Sequence, residues 1–154
     1  MPTKKFDWSQ FTLKVPIAAP VETVFRMWTD PEQIKKWFLS DAKMALKKGS
    51  EYEWKWILGL TEKGKILNYK KPEKMSFTFA GSRCDLSIKR DKRGSMVILH
   101  QYHIPKTENA KTDVHLNCSI GWTFYLTNLK TVLEYGIDLR EKDPKYITMG
   151  TVLY

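Results

Sequence analysis

The spacing of apolar residues changes along this chain, and each change marks a new element. In FTLKVPIAAP, Phe11, Leu13, Val15 and Ile17 alternate with Thr12, Lys14 and Pro16, the period of a half-buried strand. APVETVFRMWTD then turns to helical spacing, with Val21, Val24, Phe25 and Trp28 on one side. Pro20 suits the start of that helix, where its fixed φ and missing N–H cost nothing. DPEQIKKWF predicts a second short helix: Asp30 can cap it, Pro31 fits its first turn, and Gln33 stands where a capping-box partner belongs.

A run of strands follows. DAKMAL (Asp41 to Leu46) leads through a turn at Lys48-Gly49 into SEYEWKWIL, where Tyr52, Trp54 and Trp56 alternate with Glu51, Glu53 and Lys55. GKILNYKK ends at Pro72, and KMSFTFA sets Met75, Phe77 and Phe79 on one face. CDLSIKRD alternates Cys84, Leu86 and Ile88 with Asp85, Ser87 and Lys89, and turns at Arg93-Gly94. SMVILHQYHI is the last strand, with Ile98, His100 and Tyr102 expected to point inward. After a polar loop from Pro105 to Asp113, GWTFYLTNLKTVLEYG predicts a long helix that Gly136 stops. Trp122, Leu126, Leu129 and Leu133 share a narrow arc on it, flanked by Tyr125 and Val132, while Phe124 and Tyr135 fall off the stripe.

Strands joined by short turns imply an antiparallel sheet with one apolar face, and the final helix is the only long amphipathic element able to cover it. The expected fold is α+β: a curved sheet of about six to seven strands wrapped around a long C-terminal helix, with two short helices after the first strand. One domain over residues 1–154 is expected, its core at about 11–140 and an extension at 141–154. The apolar residues of that extension predict that it docks.

Composition sharpens this picture. A chain of 154 residues can bury a core without staples, and six Trp, seven Tyr and seven Phe make that core aromatic. Cys84 and Cys118 lie far apart with no metal-ligand spacing, as free thiols in a reducing compartment would. The net charge of +9 comes from basic pairs such as Lys4-Lys5, Lys47-Lys48 and Lys92-Arg93, dispersed over many turns. Without a recognition motif they predict a solvated surface and no specific nucleic-acid partner. No run is long enough for a signal peptide or a membrane span, so a cytoplasmic protein with no membrane partner is expected.

IAAPVETVFRMWTDPEQIKKWF resembles the first strand and helix pair of the START-like (SRPBCC) superfamily, and most of all the family named after the activator of the heat-shock-protein-90 ATPase. The matching pieces are Ala19-Pro20, Val24-Phe25, Thr29-Asp30-Pro31 and Trp37-Phe38, then Gly64, His100, Gly121-Trp122, Leu129-Lys130 and Leu133-Glu134. The resemblance implies a helix-grip fold, often with a cavity between sheet and helix. It also implies a choice of tasks among lipid or small-molecule binding, catalysis, and a co-chaperone role in stress response.

Within that frame Tyr52, Trp54, Trp56, Phe77, Phe79, Ile98, His100 and Tyr102 should oppose Trp122, Tyr125, Leu126 and Leu129, with Phe25, Trp28 and Trp37 closing one end. Such a set either lines an aromatic cavity or fills it; the resemblance favours the cavity. Trp122 would then partly face empty space, with Leu133 deeper on the same face. His100 has no nucleophile or carboxylate expected in reach, which predicts a histidine bonded to a core tyrosine. His103 falls on the opposite face and His115 in a loop, so neither a metal nor another cofactor is expected. The function read from the sequence is a non-catalytic domain, monomer or homodimer, holding a small apolar or aromatic molecule. The alternatives are a chaperone-binding module acting through its basic surface and, third, a cyclase or hydrolase using the same pocket.

Overall fold

The alternating stretches become seven strands of one antiparallel sheet in the computed structural model, which describes residues 3–57 and 59–147. β1 (Phe11–Ile17) leads into α1 (Val21–Thr29) and α2 (Pro31–Ile34). Then come β2 (Asp41–Lys43), β3 (Glu51–Lys55), β4 (Thr61–Lys70), β5 (Lys74–Phe79), β6 (Ser82–Asp91) and β7 (Gly94–Tyr102). After α3 (Glu108–Ala110) a π-helical turn, Lys111–Leu116, runs into α4 (Asn117–Tyr135), and α5 (Pro144–Ile147) follows. The strand order β1-β7-β6-β5-β4-β3-β2 is a meander whose last strand also pairs with the first, and the curved sheet holds α4 against its concave face.

Local chemistry explains the boundaries. The Asp30 carboxylate accepts the Glu32 N–H at 2.9 Å, capping α2 over Pro31. Gly136 takes a left-handed φ of 68°, and its N–H returns to the Val132 carbonyl at 3.0 Å, closing α4. The helical region begins earlier than the sequence pattern suggests. Thr107 caps the Ala110 N–H at 3.2 Å, and two-thirds of the expected polar loop is helical. His115, expected in a loop, is buried in the π-helical turn, where one ring nitrogen bonds the Trp8 carbonyl at 2.9 Å. The rings of Phe6, Trp8 and Phe11 lie 5.2–5.4 Å from its own, a cluster made by residues distant in sequence.

The last strand corrects the expected inward face. Ile98, His100 and Tyr102 lie on the convex side, and Ser95, Val97, Leu99 and Gln101 point in. Both parities of SMVILHQY carry apolar groups, so the strand alone is ambiguous; its ladder decides. Val97 pairs with Ile88, Leu99 with Leu86 and Gln101 with Cys84, residues whose own alternation is already committed to the core. His100 instead bonds Gln10 at 2.7 Å on the outside and stacks on Tyr102 at 4.9 Å.

Trp28, Trp37, Trp54, Phe38 and Phe77 are fully buried. The Trp28 ring meets Trp37 at 4.7 Å and Trp122 at 5.7 Å, and the Trp37 indole N–H donates to the Met27 carbonyl at 2.8 Å. Tyr52 lies flat across β4 because Gly64 has no side chain: a Cβ there would come within 2.6 Å of the ring. On α4, Trp122, Tyr125, Leu126 and Leu129 are buried, and Leu133 is only half-buried, the reverse of the expected depth order. α4 runs along β1, the edge strand, so its last turn has sheet on one side only.

The chain past Gly136 is pinned by polar groups. Buried Asn128 donates to the Trp37 carbonyl (2.8 Å) and accepts the Leu139 N–H (2.7 Å). The Arg140 guanidinium donates to the carbonyls of Lys35 (2.8 Å) and Leu39 (3.0 Å) and to Asp138 (2.8 Å). Ile147 is buried. The expected docking of Met149, Val152, Leu153 and Tyr154 lies outside the described residues.

Candidate ligand-binding cleft

The aromatic row on the concave face is packed at its centre and open at one end. Tyr52 stacks on Trp54 at 4.1 Å, and Trp54 meets Phe77 at 5.5 Å, leaving no room there. Trp56 sits just beyond β3, where its N–H donates to the Leu60 carbonyl at 3.0 Å in the turn to β4. Across from Trp56 and Phe79, the first half of α4 offers Asn117, Cys118 and Gly121, all of them small. A Cβ added to Gly121 would meet nothing within 4 Å. These small residues interrupt the bulkier α4 residues Ile120, Trp122, Phe124 and Tyr125 that also line the space, and a cleft of about 600 Å³ remains, within the range of small-molecule sites.

Phe38, Trp56, Phe79, Trp122, Phe124 and Tyr125 supply its aromatic walls. Phe38 meets Trp56 at 5.3 Å and Tyr125 at 4.8 Å, both edge to face, and Phe79 meets Trp122 at 5.0 Å. Leu60 and Ile120, at the mouth, are 57% and 63% exposed. The Trp122 indole N–H is already engaged with the side-chain Oε1 of buried Gln101 at 3.0 Å, and the Gln101 side-chain amide donates to the Ser82 hydroxyl at 2.8 Å. Glu62 brings the one carboxylate that lines the cleft, with an oxygen accepting the Ala80 N–H at 2.8 Å. Burial, above all, pushes the thiols of Cys84 and Cys118 above their ordinary values, so both stay protonated at neutral pH.

The expected site residues therefore separate into three groups. Trp56, Phe79, Trp122 and Tyr125 wall the cleft. Phe25, Trp28, Trp37, Tyr52, Trp54, Phe77, Leu126 and Leu129 belong to the packed core. Ile98, His100 and Tyr102 stand on the outer face. Sequence reasoning missed Phe38, Glu62, Cys118 and Phe124. Extending the helix back through NCSIGW would have revealed Asn117, Gly121 and Phe124 as a second stripe at helical spacing, and starting β4 at Thr61 puts Glu62 in phase with Gly64 and Ile66. Among the described residues no three His, Cys, Asp or Glu side chains gather as a metal site needs, and no helix is long and apolar enough to cross a membrane.

Residues 18–134 match the sequence profile of the activator of Hsp90 ATPase homolog 1-like protein family. Among solved structures, a Staphylococcus saprophyticus protein superposes with a TM-score of 0.75 at 20% identity, covering 86% of this chain and 97% of its own. The Aha1 dimer from Colwellia psychrerythraea gives 0.73 at 20% identity, covering 82% and 97%. A Mesorhizobium loti protein gives 0.73 at 16% identity, covering 81% and 96%. At these identities the likeness establishes the fold. No curated protein matches the chain in sequence.

Proposed function

Because the chain belongs to the activator of Hsp90 ATPase homolog 1-like family, whose fold serves more than one task, we propose that it is a binding domain whose cleft holds a small apolar or aromatic molecule without transforming it. The observation that carries this reading is the mismatch of side-chain size across the grip. Large rings meet large rings through the core, whereas at the cleft the small residues Asn117, Cys118 and Gly121 lie among the bulkier residues of α4 and leave open space beside Trp56 and Phe79. The protonated thiols and the outward His100 support binding over chemistry. The test is a titration with the neutral fluorescent hydrocarbon diphenylhexatriene, expected to saturate. Gly121→Leu, which puts a side chain into the open space, should abolish uptake without lowering the melting temperature. Absence of saturable uptake, or uptake indifferent to Gly121→Leu, would overturn the reading.

A second reading, a protein-binding module acting on a chaperone, is supported by the family's description and by Leu60, Leu116 and Ile120, exposed large apolar residues. Capture of a purified chaperone that survives Gly121→Leu but fails after Ile120→Asp would favour it over the cleft.

A further inference from the structure

We propose that the cleft selects a cationic guest: an aromatic or apolar molecule bearing a positively charged nitrogen, which sits on Glu62 between the aromatic walls. The inference rests on the cleft being a binding site and adds the class of ligand. Glu62 lies on β4 in phase with Gly64 and buried Ile66, so its side chain turns to the concave side. The Ala80 N–H holds one carboxylate oxygen at 2.8 Å and so fixes the group at the cleft wall. The chain has 26 Lys and Arg against 17 Asp and Glu, so acidic groups have cations in plenty. Glu53, on the neighbouring strand, pairs with Lys55 at 3.2 Å and Lys63 at 3.5 Å. None of the ion pairs among the described residues involves Glu62.

That carboxylate acts on the interior. Burial is the main reason the Tyr52, Cys84 and Cys118 protons are held tightly, and the negative charge of Glu62 adds to it at all three. The same field that disfavours a second anion favours a cation. Aromatic faces reinforce the preference, since a ring presents its negative face to a cation within about 6 Å, and Trp56, Phe79 and Trp122 line the same cleft as Glu62. An anionic guest would meet the Glu62 charge, and two nearby donors are already taken, the Trp122 indole N–H by Gln101 and the Ala80 N–H by Glu62 itself. The site thus prefers the charge opposite to what the net charge of +9 would attract.

Three probes with one aromatic body test this: diphenylhexatriene, its trimethylammonium derivative and its propionic acid derivative, each titrated by fluorescence into the full chain. The cationic probe should bind about tenfold or more tightly than the neutral parent, and the anionic one more weakly than either. Glu62→Gln keeps an oxygen for the Ala80 N–H. It should remove the cationic advantage, a loss of about tenfold, and leave the neutral probe unchanged, which also reports that the variant is folded. Equal affinity for neutral and cationic probes, or indifference of the cationic probe to Glu62→Gln, would overturn the charge selection and leave the cleft standing. Failure of all three probes to bind would remove the cleft reading and this inference with it.

Discussion

Truncating Trp122 to alanine tests how the helix is seated. The side chain is 2% exposed, and its ring lies 5.0 Å from Phe79, 5.1 Å from Phe38 and 5.7 Å from Trp28. Removing a buried tryptophan costs about 3–5 kcal/mol through lost transfer and the cavity left behind. It also strips the fully buried Gln101 carbonyl of its indole partner, which adds about 1–3 kcal/mol for an unpaired acceptor. The combined loss, about 4–8 kcal/mol, is a large share of the roughly 5–15 kcal/mol that holds a typical domain folded. With a urea slope of about 2 kcal/mol/M the midpoint should fall by about 2–4 M, read by circular dichroism. Trp122→Phe separates the two parts: most of the ring remains, Gln101 is still orphaned, and the expected loss is about 1–3 kcal/mol. Leu133→Ala, at a half-buried position, should cost only about 1–2 kcal/mol. A loss below about 2 kcal/mol for Trp122→Ala, or a larger one for Leu133→Ala, would refute the packing described here.

Gly121→Ala replaces a helix-interior glycine whose Cβ would meet nothing within 4 Å; it should raise stability by about 0.5–1 kcal/mol in a urea melt. Arg140→Met removes the donors to Lys35, Leu39 and Asp138 and should cost about 1.5–3 kcal/mol in the same melt. Burial alone would raise the Asp138 carboxyl, but hydrogen bonds from Arg140, Lys142 and Asn128 outweigh it and hold the group well below the ordinary aspartate value. Its contribution is therefore complete above about pH 4 and lost as the pH falls through the lower folded value; Asp138→Asn should flatten that acidic part of a stability–pH profile. His100→Ala, on the convex face, should leave probe uptake unchanged, and a change in affinity would contradict its outward placement.

Much of the fold was legible because local periodicity is enforced by local geometry. Tyr52, Trp54 and Trp56 alternate because a pleated strand turns successive side chains to opposite faces, and Trp122, Leu126 and Leu129 recur because a helix turns every 3.6 residues. Asp30 and Gly136 marked helix ends through chemistry that lies within a few residues of each. Where both parities of a strand were apolar the local rule had nothing to choose between. Only the ladder to Cys84, Leu86 and Ile88 turned Val97, Leu99 and Gln101 inward and His100 outward. His115 was misread for a similar reason, since its partner carbonyl on Trp8 is 107 residues away.

The candidate site was the least legible part. The sequence determined that rings would crowd one face of the sheet, since that follows from residue type and period. It could not determine whether they fill the space, because a void depends on the sizes of side chains that meet across the grip from remote segments. Tertiary structure brought Asn117, Cys118 and Gly121 opposite Trp56 and Phe79, and turned Glu62 in beside them. Small residues interrupt the helix wall there, and close packing, which needs complementary volumes on both walls, stops at that end of the core.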